Sequence, residues 1–167
     1  MSPNDPTLSR PYMPKDYGIK DATEGTGLLP WSRACEQLEK SRNYWVITAR
    51  PDGRPHAMPV WGLWFEDAFY FGTGANTVNG RNIAANPRIV MHLESGDDVV
   101  ILEGTVEEVK DRDLLARLDK PYHVKYDFHM IDENGNNYMP VYTLKHHLAF
   151  AWLEKDFTGS PTRYQFT

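Results

Sequence analysis

A short segment after the second predicted strand combines hydroxyl, amide and guanidinium side chains at the start of a predicted helix, Val78–Ala85. Asn76 or Thr77 is the candidate N-cap residue, Thr73 precedes them, and Arg81 lies one turn into the helix. Free amides at a helix N-terminus bind anions, and phosphate above all. The pattern therefore predicts a phosphate-binding turn, although turns of this composition also occur where nothing binds.

The predicted strand at residues 55–65 is apolar on both faces. One face carries His56, Met58, Val60, Gly62 and Trp64, and the other carries Ala57, Pro59, Trp61, Leu63 and Phe65. A strand of this kind is expected to be buried on both sides. Pro59 has no N–H to give to a neighbouring strand, so we expect a gap in the pairing there. Such a gap leaves room for a planar ring.

Other reactive groups do not form a recognisable site. The sequence contains no Gly-rich phosphate loop, zinc-ligand pair or nucleophile elbow. His146 and His147 are adjacent and would point to opposite faces of a strand, so no metal site is predicted. Cys35 lies on the apolar stripe of a helix and is expected in the core. Any redox chemistry would therefore belong to a bound cofactor.

Composition narrows the class of protein. The 167 residues carry a net charge of −5, which argues against nucleic-acid binding. The single cysteine excludes a disulfide within the chain and fits a reducing compartment. No apolar segment reaches the length of a membrane span, and no leader pattern is visible. We expect a cytoplasmic protein that does not enter membranes.

The order of predicted elements indicates an antiparallel barrel. Residues 1–27 form a proline-rich arm with no regular element, and residues 28–167 form one domain. Helices are predicted at 30–41, 78–85 and after Asp111, and residues 127–137 form a polar loop. Strands are predicted at 44–50, 55–65, 68–72, 88–94, 98–109, 141–144, 148–153 and 162–166. Many short strands with few helices favour a closed or half-open barrel.

Several motifs carry a resemblance to a known family. They are Pro-His-Ala-Met-Pro-Val-Trp-Gly at 55–62, Phe-Gly-Thr-Gly at 71–74, Arg-Asn-Ile-Ala-Ala-Asn-Pro at 81–87 and Thr-Arg-Tyr-Gln-Phe at 162–166. From about Trp31 to its end, the chain resembles the pyridoxamine 5'-phosphate oxidase-like, flavin-binding split-barrel family. The resemblance implies a mainly β (α+β) fold, an antiparallel split barrel of six to seven strands with flanking helices.

The resemblance also implies a cofactor and a site. Family members are homodimers that hold FMN, or in one branch the deazaflavin coenzyme F-420, in a cleft between subunits. By this resemblance the isoalloxazine ring is lined by Met58, Pro59, Val60 and Trp61, and Thr73 contacts the ring or the ribityl chain. At the phosphate end, Thr77 replaces a phosphate-binding serine, and Arg81 and Asn82 lie beside the phosphate. The partner subunit contributes Trp152 and Arg163.

One position departs from the family pattern. The usual motif is Thr-Asn-x-x-Ser-x-Lys, whereas this chain has Thr73-Gly74-x-x-Thr77-x-Asn79. The neutral Asn79 replaces a charged phosphate donor, which weakens binding by on the order of 1 kcal/mol unless Arg81 or Arg54 compensates. A glycine inside the short helix, Gly80, also argues against a rigid phosphate site.

The leading functional hypothesis is an FMN-dependent oxidoreductase in which Trp61, Trp64 and the loop at 127–137 shape the substrate side. The first alternative is a reductase that uses coenzyme F-420. A second is a non-catalytic flavin-binding protein. A third, an oligonucleotide-binding small barrel, is disfavoured by the acidic charge and the non-basic strands.

Overall fold

The computed structural model describes residues 5–167, which form eight strands and three α-helices. The strands are β1 (Thr7–Ser9), β2 (Asn43–Ala49), β3 (Pro55–Phe65), β4 (Ala68–Gly72), β5 (Arg88–His92), β6 (Asp98–Glu108), β7 (Val141–Leu153) and β8 (Thr162–Gln165). The helices are α1 (Trp31–Lys40), α2 (Val78–Ala85) and α3 (Arg112–Tyr126). Short 3-10 turns occupy Lys15–Tyr17 and Glu154–Asp156.

Tight turns explain the first two hairpins. Gly53 adopts a φ of 83°, and the Asp52 carboxylate accepts a hydrogen bond from the Arg54 N–H, so the chain reverses between β2 and β3. Glu66 and Asp67 have φ values of 49° and 58° between β3 and β4. Two consecutive residues with positive φ match the right-handed twist of a two-residue hairpin.

Six strands close into an antiparallel barrel, as predicted. Their order is β7-β4-β3-β2-β5-β6, and β6 pairs back onto β7 to close the ring. β8 and β1 extend the sheet outward from β7. The barrel interior is filled by large apolar side chains, among them Leu38, Tyr44, Val46, Phe69, Met91 and Leu102. The fold is therefore mainly β with flanking helices, and the prediction of a split barrel is confirmed.

The barrel is split beside the first half of β3. β4 pairs only with residues 62–65 of β3, so residues 55–61 have β2 on one side and no strand on the other. Pro59 lies in this half, opposite Trp45 of β2. A proline fits there because an edge strand need not donate on its free side. The predicted gap in pairing is thus the point where β3 and β4 diverge.

The prediction that β3 is buried on both faces is wrong for its first half. Only Gly62, Leu63 and Trp64 are buried, whereas Met58 and Trp61 remain 47% and 41% exposed. Without β4 as a neighbour, this half lies at the surface of the single chain. The apolar residues there consequently form part of the surface and not of the core.

Two further differences concern strand continuity. Residues 141–153 form one strand where two were predicted, because a bulge accommodates the polar residues in its middle. Glu103 pairs with Leu148 and Gly104 pairs with His146, which leaves His147 as the extra residue. The arm also contains a strand that the sequence does not predict, since β1 pairs with β8. Residues 1–4 of that arm lie outside the described part.

A second core lies outside the barrel under α3. Leu63 and Tyr70 pack there against Leu118 and Tyr122 of that helix. Asp111 caps α3, as predicted, by accepting hydrogen bonds from the N–H groups of Asp113 and Leu114. Within residues 5–167, no helix has the length and apolar character needed to cross a bilayer.

Candidate functional site

The turn between β4 and α2 is organised by two threonine hydroxyls. Thr77 is the N-cap of α2, and its Oγ1 accepts a hydrogen bond from the Gly80 N–H at 3.0 Å. The same hydroxyl donates to the Gly74 carbonyl at 2.8 Å and lies 3.0 Å from the Thr73 hydroxyl. Thr73 is buried, and its N–H donates to the Pro140 carbonyl. Of the two residues predicted as N-cap candidates, Thr77 and not Asn76 is therefore the N-cap residue of α2.

Four amides in and after this turn are open to a ligand. Within residues 5–167, the N–H groups of Ala75, Asn76, Val78 and Asn79 have no hydrogen-bond acceptor, whereas the Thr77 N–H donates to the Gly74 carbonyl. Unpaired amides and the helix dipole together give the N-terminus of α2 a partial positive charge. This end of the helix can hold an anion.

Gly80 makes the turn compact, contrary to the expectation that it loosens the site. A Cβ atom at this position would lie 2.3 Å from the Gly74 carbonyl oxygen and 2.9 Å from the Cα of Ala75. No other residue type permits the turn to pack this closely on the helix. The glycine therefore fixes the positions of the open amides.

Arg81 adds a full positive charge beside these amides. Its side chain is exposed, and Nη1 donates to the Asn76 carbonyl at 2.7 Å. This bond holds the guanidinium next to the turn while its other N–H groups stay available for an anion. Arg54, the second candidate charge, instead pairs with Asp52 at 2.8 Å.

Asn79 and Asn82 are turned toward the barrel. Both are buried, and Thr48 of β2 lies between them: its hydroxyl donates to Asn79 Oδ1 at 3.1 Å and accepts from Asn82 Nδ2 at 2.9 Å. Their side chains therefore anchor α2 to β2. Of these two residues, the structure brings only the backbone N–H of Asn79 to the open face of the turn.

The exposed half of β3 supplies an apolar surface next to α2. Met58, Pro59 and Trp61 are exposed there and Val60 is half-buried. The indole of Trp61 stacks on the ring of Tyr126 with centroids 4.9 Å apart and an angle of 13° between the planes. The surface is thus held in place from behind by α3.

An aromatic patch continues from this surface onto the loop after α3. We define the patch as Trp61, Phe128, Tyr138 and Met139, which are 41%, 47%, 60% and 40% exposed. Ring centroids lie 6.5 Å apart between Trp61 and Phe128 and 6.0 Å apart between Phe128 and Tyr138. Met139 packs over Gly72 at the end of β4. The patch therefore connects the β3 surface with the start of the turn.

Three predicted residues lie elsewhere in the chain. Trp152 pairs with Val99 and Arg163 pairs with Phe150, at the end of β7 far from its pairing with β4. Within this chain they do not approach Thr73. Trp64 is buried in the barrel against Trp31, so it cannot shape a substrate side as predicted.

One lysine that supports the site could not be recognised from the sequence. Lys125 of α3 donates to the Tyr44 hydroxyl at 2.8 Å and to the Gly62 carbonyl at 3.1 Å. Burial, followed by the charge of Arg42, lowers the pKa of Lys125 to about 8. The Tyr126 hydroxyl also contacts Gly62, at both its N–H and its carbonyl. α3 thus fixes β3 at the point where the barrel splits.

This geometry defines a split-barrel protein in which a turn with open amides lies beside an exposed apolar strand. A family profile described as pyridoxamine 5'-phosphate oxidase matches residues 32–154. The chain therefore belongs to the pyridoxamine 5'-phosphate oxidase family. Comparison with curated proteins gave no match.

Solved structures share the fold at low sequence identity. The conserved hypothetical protein Rv2991 from Mycobacterium tuberculosis is 22% identical, with a TM-score of 0.65 over 75% of this chain and 85% of its own. A NimC/NimA family protein from Clostridium acetobutylicum is 15% identical, with a TM-score of 0.63 over 80% and 90%. An F-420 reductase is 22% identical, with a TM-score of 0.54 over 68% and 93%. These likenesses show the fold alone.

Proposed function

We propose that this protein is an FMN-binding oxidoreductase that holds its flavin at the interface of a homodimer. One observation carries the proposal: the four open amides of the β4–α2 turn and the Arg81 guanidinium lie beside an exposed apolar strand. A flavin mononucleotide has the matching chemistry, an anionic phosphate at one end and a planar apolar ring at the other.

The residues present fit the cofactor at both ends. The amides of Ala75, Asn76, Val78 and Asn79, together with Arg81, would hold the phosphate. Residues 58–61 of β3 would lie against the ring. Arg81 supplies the cationic donor that the missing lysine does not, so the substitution at Asn79 lowers the affinity without removing the site.

When bound, the flavin supplies the hydride or electron transfer. The protein's own contribution is to bind and orient. Thr77 and Gly80 fix the phosphate turn, whereas Trp61, stacked on Tyr126, fixes the strand beside the ring. Phe128 and Tyr138 would exclude water from the open side. No side chain of this surface is required as a general acid or base.

The homodimer is the second part of the proposal. The aromatic patch is contiguous and exposed in the single chain, and such patches mark sites of association. A partner subunit over residues 58–61 would cover the apolar half of β3. Trp152 and Arg163, which cannot reach Thr73 in their own chain, would then complete the partner's site.

A reductase that uses coenzyme F-420 is the second candidate. It is supported by the likeness to a solved F-420 reductase. The cofactor has a longer anionic tail than FMN, and the exposed Arg81 beside the open amides would suit such a tail equally well. A non-catalytic flavin binder is the third candidate, and only turnover measurements separate it from the first two.

The experiment is a spectrum of the purified protein followed by titration of the cofactor-free form with FMN, riboflavin and F-420. We expect a yellow protein that releases FMN by mass analysis and binds FMN more tightly than riboflavin. A colourless protein that ignores added FMN would refute the proposal, and preferential binding of F-420 would select the second candidate. A bound flavin without turnover with reductants and acceptors would select the third.

Arg81→Ala tests the phosphate end, and Arg88→Ala is the matched control because both arginines are exposed and close in sequence. Loss of one charge-assisted hydrogen bond should weaken FMN binding about tenfold. Riboflavin, which has no phosphate, should bind both variants as it binds the wild type. Equal FMN affinity in Arg81→Ala and Arg88→Ala would remove Arg81 from the site.

A further inference from the structure

A cleft of about 1090 Å³ lies at the Ala68 end of β4, whereas the flavin site proposed above lies at the Gly72 end of the same strand. Its walls are helix α1, the turn between β3 and β4, the middle of β7, the segment after β8 and, from the N-terminal arm, Asp5, Pro6 and Leu8. None of the residues assigned to the flavin site lines this cleft. The cleft is therefore a surface separate from the proposed flavin site, and any ligand it binds would contact a different set of residues.

The floor of the cleft is aromatic. Phe166 meets the ring of His146 edge to face, with centroids 4.4 Å apart, and meets Trp31 in the same manner at 4.9 Å. Trp31 and His146 are 5.9 Å apart, and all three residues are partly exposed. Burial lowers the pKa of His146, which favours the neutral form of its imidazole. These rings pack against one another and present a neutral, partly exposed aromatic surface to the cleft, and such surfaces attract organic cations.

The rim of the cleft is acidic. Glu36 and Glu39 of α1 and Glu66 and Asp67 of the β3–β4 turn line it, against one basic residue, Lys145. Glu36 lies 3.7 Å from Lys40, and Glu66 pairs with Arg117 at 2.5 Å. Within residues 5–167, the carboxylates of Glu39 and Asp67 have neither an ion pair nor a hydrogen-bond donor.

Glu39 and Asp67 face the same place although they belong to different elements. Cys35, which also lines the cleft, has its pKa raised to about 12 by burial and then by the negative charges of Asp67 and Glu39. Both carboxylates therefore act on the same point of the cleft, the Cys35 thiol. Lys145 is the basic side chain that lines the cleft, and in the described part of the chain it forms no ion pair with either carboxylate.

We propose that this cleft binds a small organic ammonium ion with an apolar body. The apolar part would lie against Trp31 and Phe166, and the ammonium group would face Glu39 and Asp67. Attraction to aromatic faces and to two unpaired carboxylates acts on the same cation, which excludes anions and gives neutral molecules no advantage. The inference does not depend on the flavin proposal, because neither set of residues is shared.

The test is calorimetric titration of the full-length protein with phenethylammonium chloride, with phenethyl alcohol as the neutral analogue of the same shape. We expect saturable binding of the cation and at least tenfold weaker binding of the alcohol. The double variant Glu39→Gln/Asp67→Asn removes both unpaired charges. Asparagine tolerates the positive φ of position 67, so the turn should fold as before. We expect about a fivefold loss of affinity.

The control is Glu107→Gln/Glu133→Gln, which makes the same change of net charge at two exposed positions outside the cleft. It should bind the cation as the wild type does. The absence of saturable binding, equal affinity for the alcohol, or an equal loss in both double variants would overturn the proposal. Arg81→Ala should bind phenethylammonium as tightly as the wild type does, since Arg81 belongs to the proposed flavin site and not to this cleft.

Discussion

Replacing Gly80 by alanine tests whether the β4–α2 turn is built around the absence of a side chain. In an isolated helix this change is favourable by about 1 kcal/mol, because glycine is a poor helix former. Here the added Cβ would lie 2.3 Å from the Gly74 carbonyl oxygen and 2.9 Å from both the Cα and the carbonyl oxygen of Ala75. All three are backbone atoms, so no change of rotamer relieves the contact.

The change in stability of Gly80→Ala depends on the balance between this steric crowding and the gain in helix propensity. The turn must retreat by roughly 1 Å to restore normal contact distances. Crowding against backbone atoms, which cannot move to a new rotamer, should cost about 2–3 kcal/mol, at the upper end of the usual range for overpacking, and this exceeds the gain of about 1 kcal/mol in helix propensity. We therefore expect Gly80→Ala to lower the melting temperature by about 2 to 8 °C for a chain of this length. The displaced amides should also bind FMN more weakly.

Gly96→Ala is the matched control, because a Cβ there meets nothing within 4 Å and the residue does not need positive φ. Its stability should stay within about 0.5 kcal/mol of the wild type. Stability is measured by thermal and urea unfolding followed through tryptophan fluorescence, and FMN affinity by titration. If Gly80→Ala is as stable as Gly96→Ala, the close packing of the turn on α2 is not what fixes this site.

Three further predictions address stability and assembly. The pKa of Lys125 is lowered to about 8 in the folded protein, so between pH 8 and the ordinary lysine pKa the unfolded chain binds more protons at this residue than the folded chain does. The free energy of unfolding should therefore rise between pH 8 and 10, and it should rise more in the wild type than in Lys125→Met. Parallel pH profiles of the two proteins in urea denaturation would contradict the assignment. Trp61→Glu should shift the protein toward the monomer in light scattering, whereas Val124→Glu, at a residue 80% exposed on α3, should not; equal dimer content in both variants would place the interface elsewhere. Asp119→Asn should speed proteolysis within residues 127–137, because the Asp119 carboxylate accepts hydrogen bonds from the Met130 and Ile131 N–H groups; cleavage at the wild-type rate would show that other contacts hold the loop.

The elements nearest the site could be predicted from sequence because their signals are local. β3, β4 and α2 have the predicted boundaries, since turn residues separate β3 from β4 and Asn86-Pro87 ends α2. The N-cap at Thr77 is a local feature of the same kind. The continuous β7 is different: its bulge at His147 depends on the close approach of Gly104 in another strand. A contact with another strand does not change the hydrophobic periodicity of the β7 residues, so the bulge could not be predicted from their sequence.

The directions of side chains at the site could not be predicted, for a physical reason. Asn79 and Asn82 are polar residues of a short helix and would normally be expected at a surface. They are buried because Thr48, some thirty residues earlier, offers both a donor and an acceptor inside the barrel. The family pattern likewise places a phosphate ligand at position 79, but it does not reveal which neighbour binds the asparagine that replaces it.

β4 separates two surfaces of opposite charge. Its Gly72 end leads into the open amides of α2 and Arg81, whereas its Ala68 end follows Glu66 and Asp67. A net charge of −5 describes neither surface, since the positive potential of the first comes largely from backbone amides. An anionic cofactor and a cationic ligand could therefore bind the same small barrel at once, because each is repelled by the residues that attract the other.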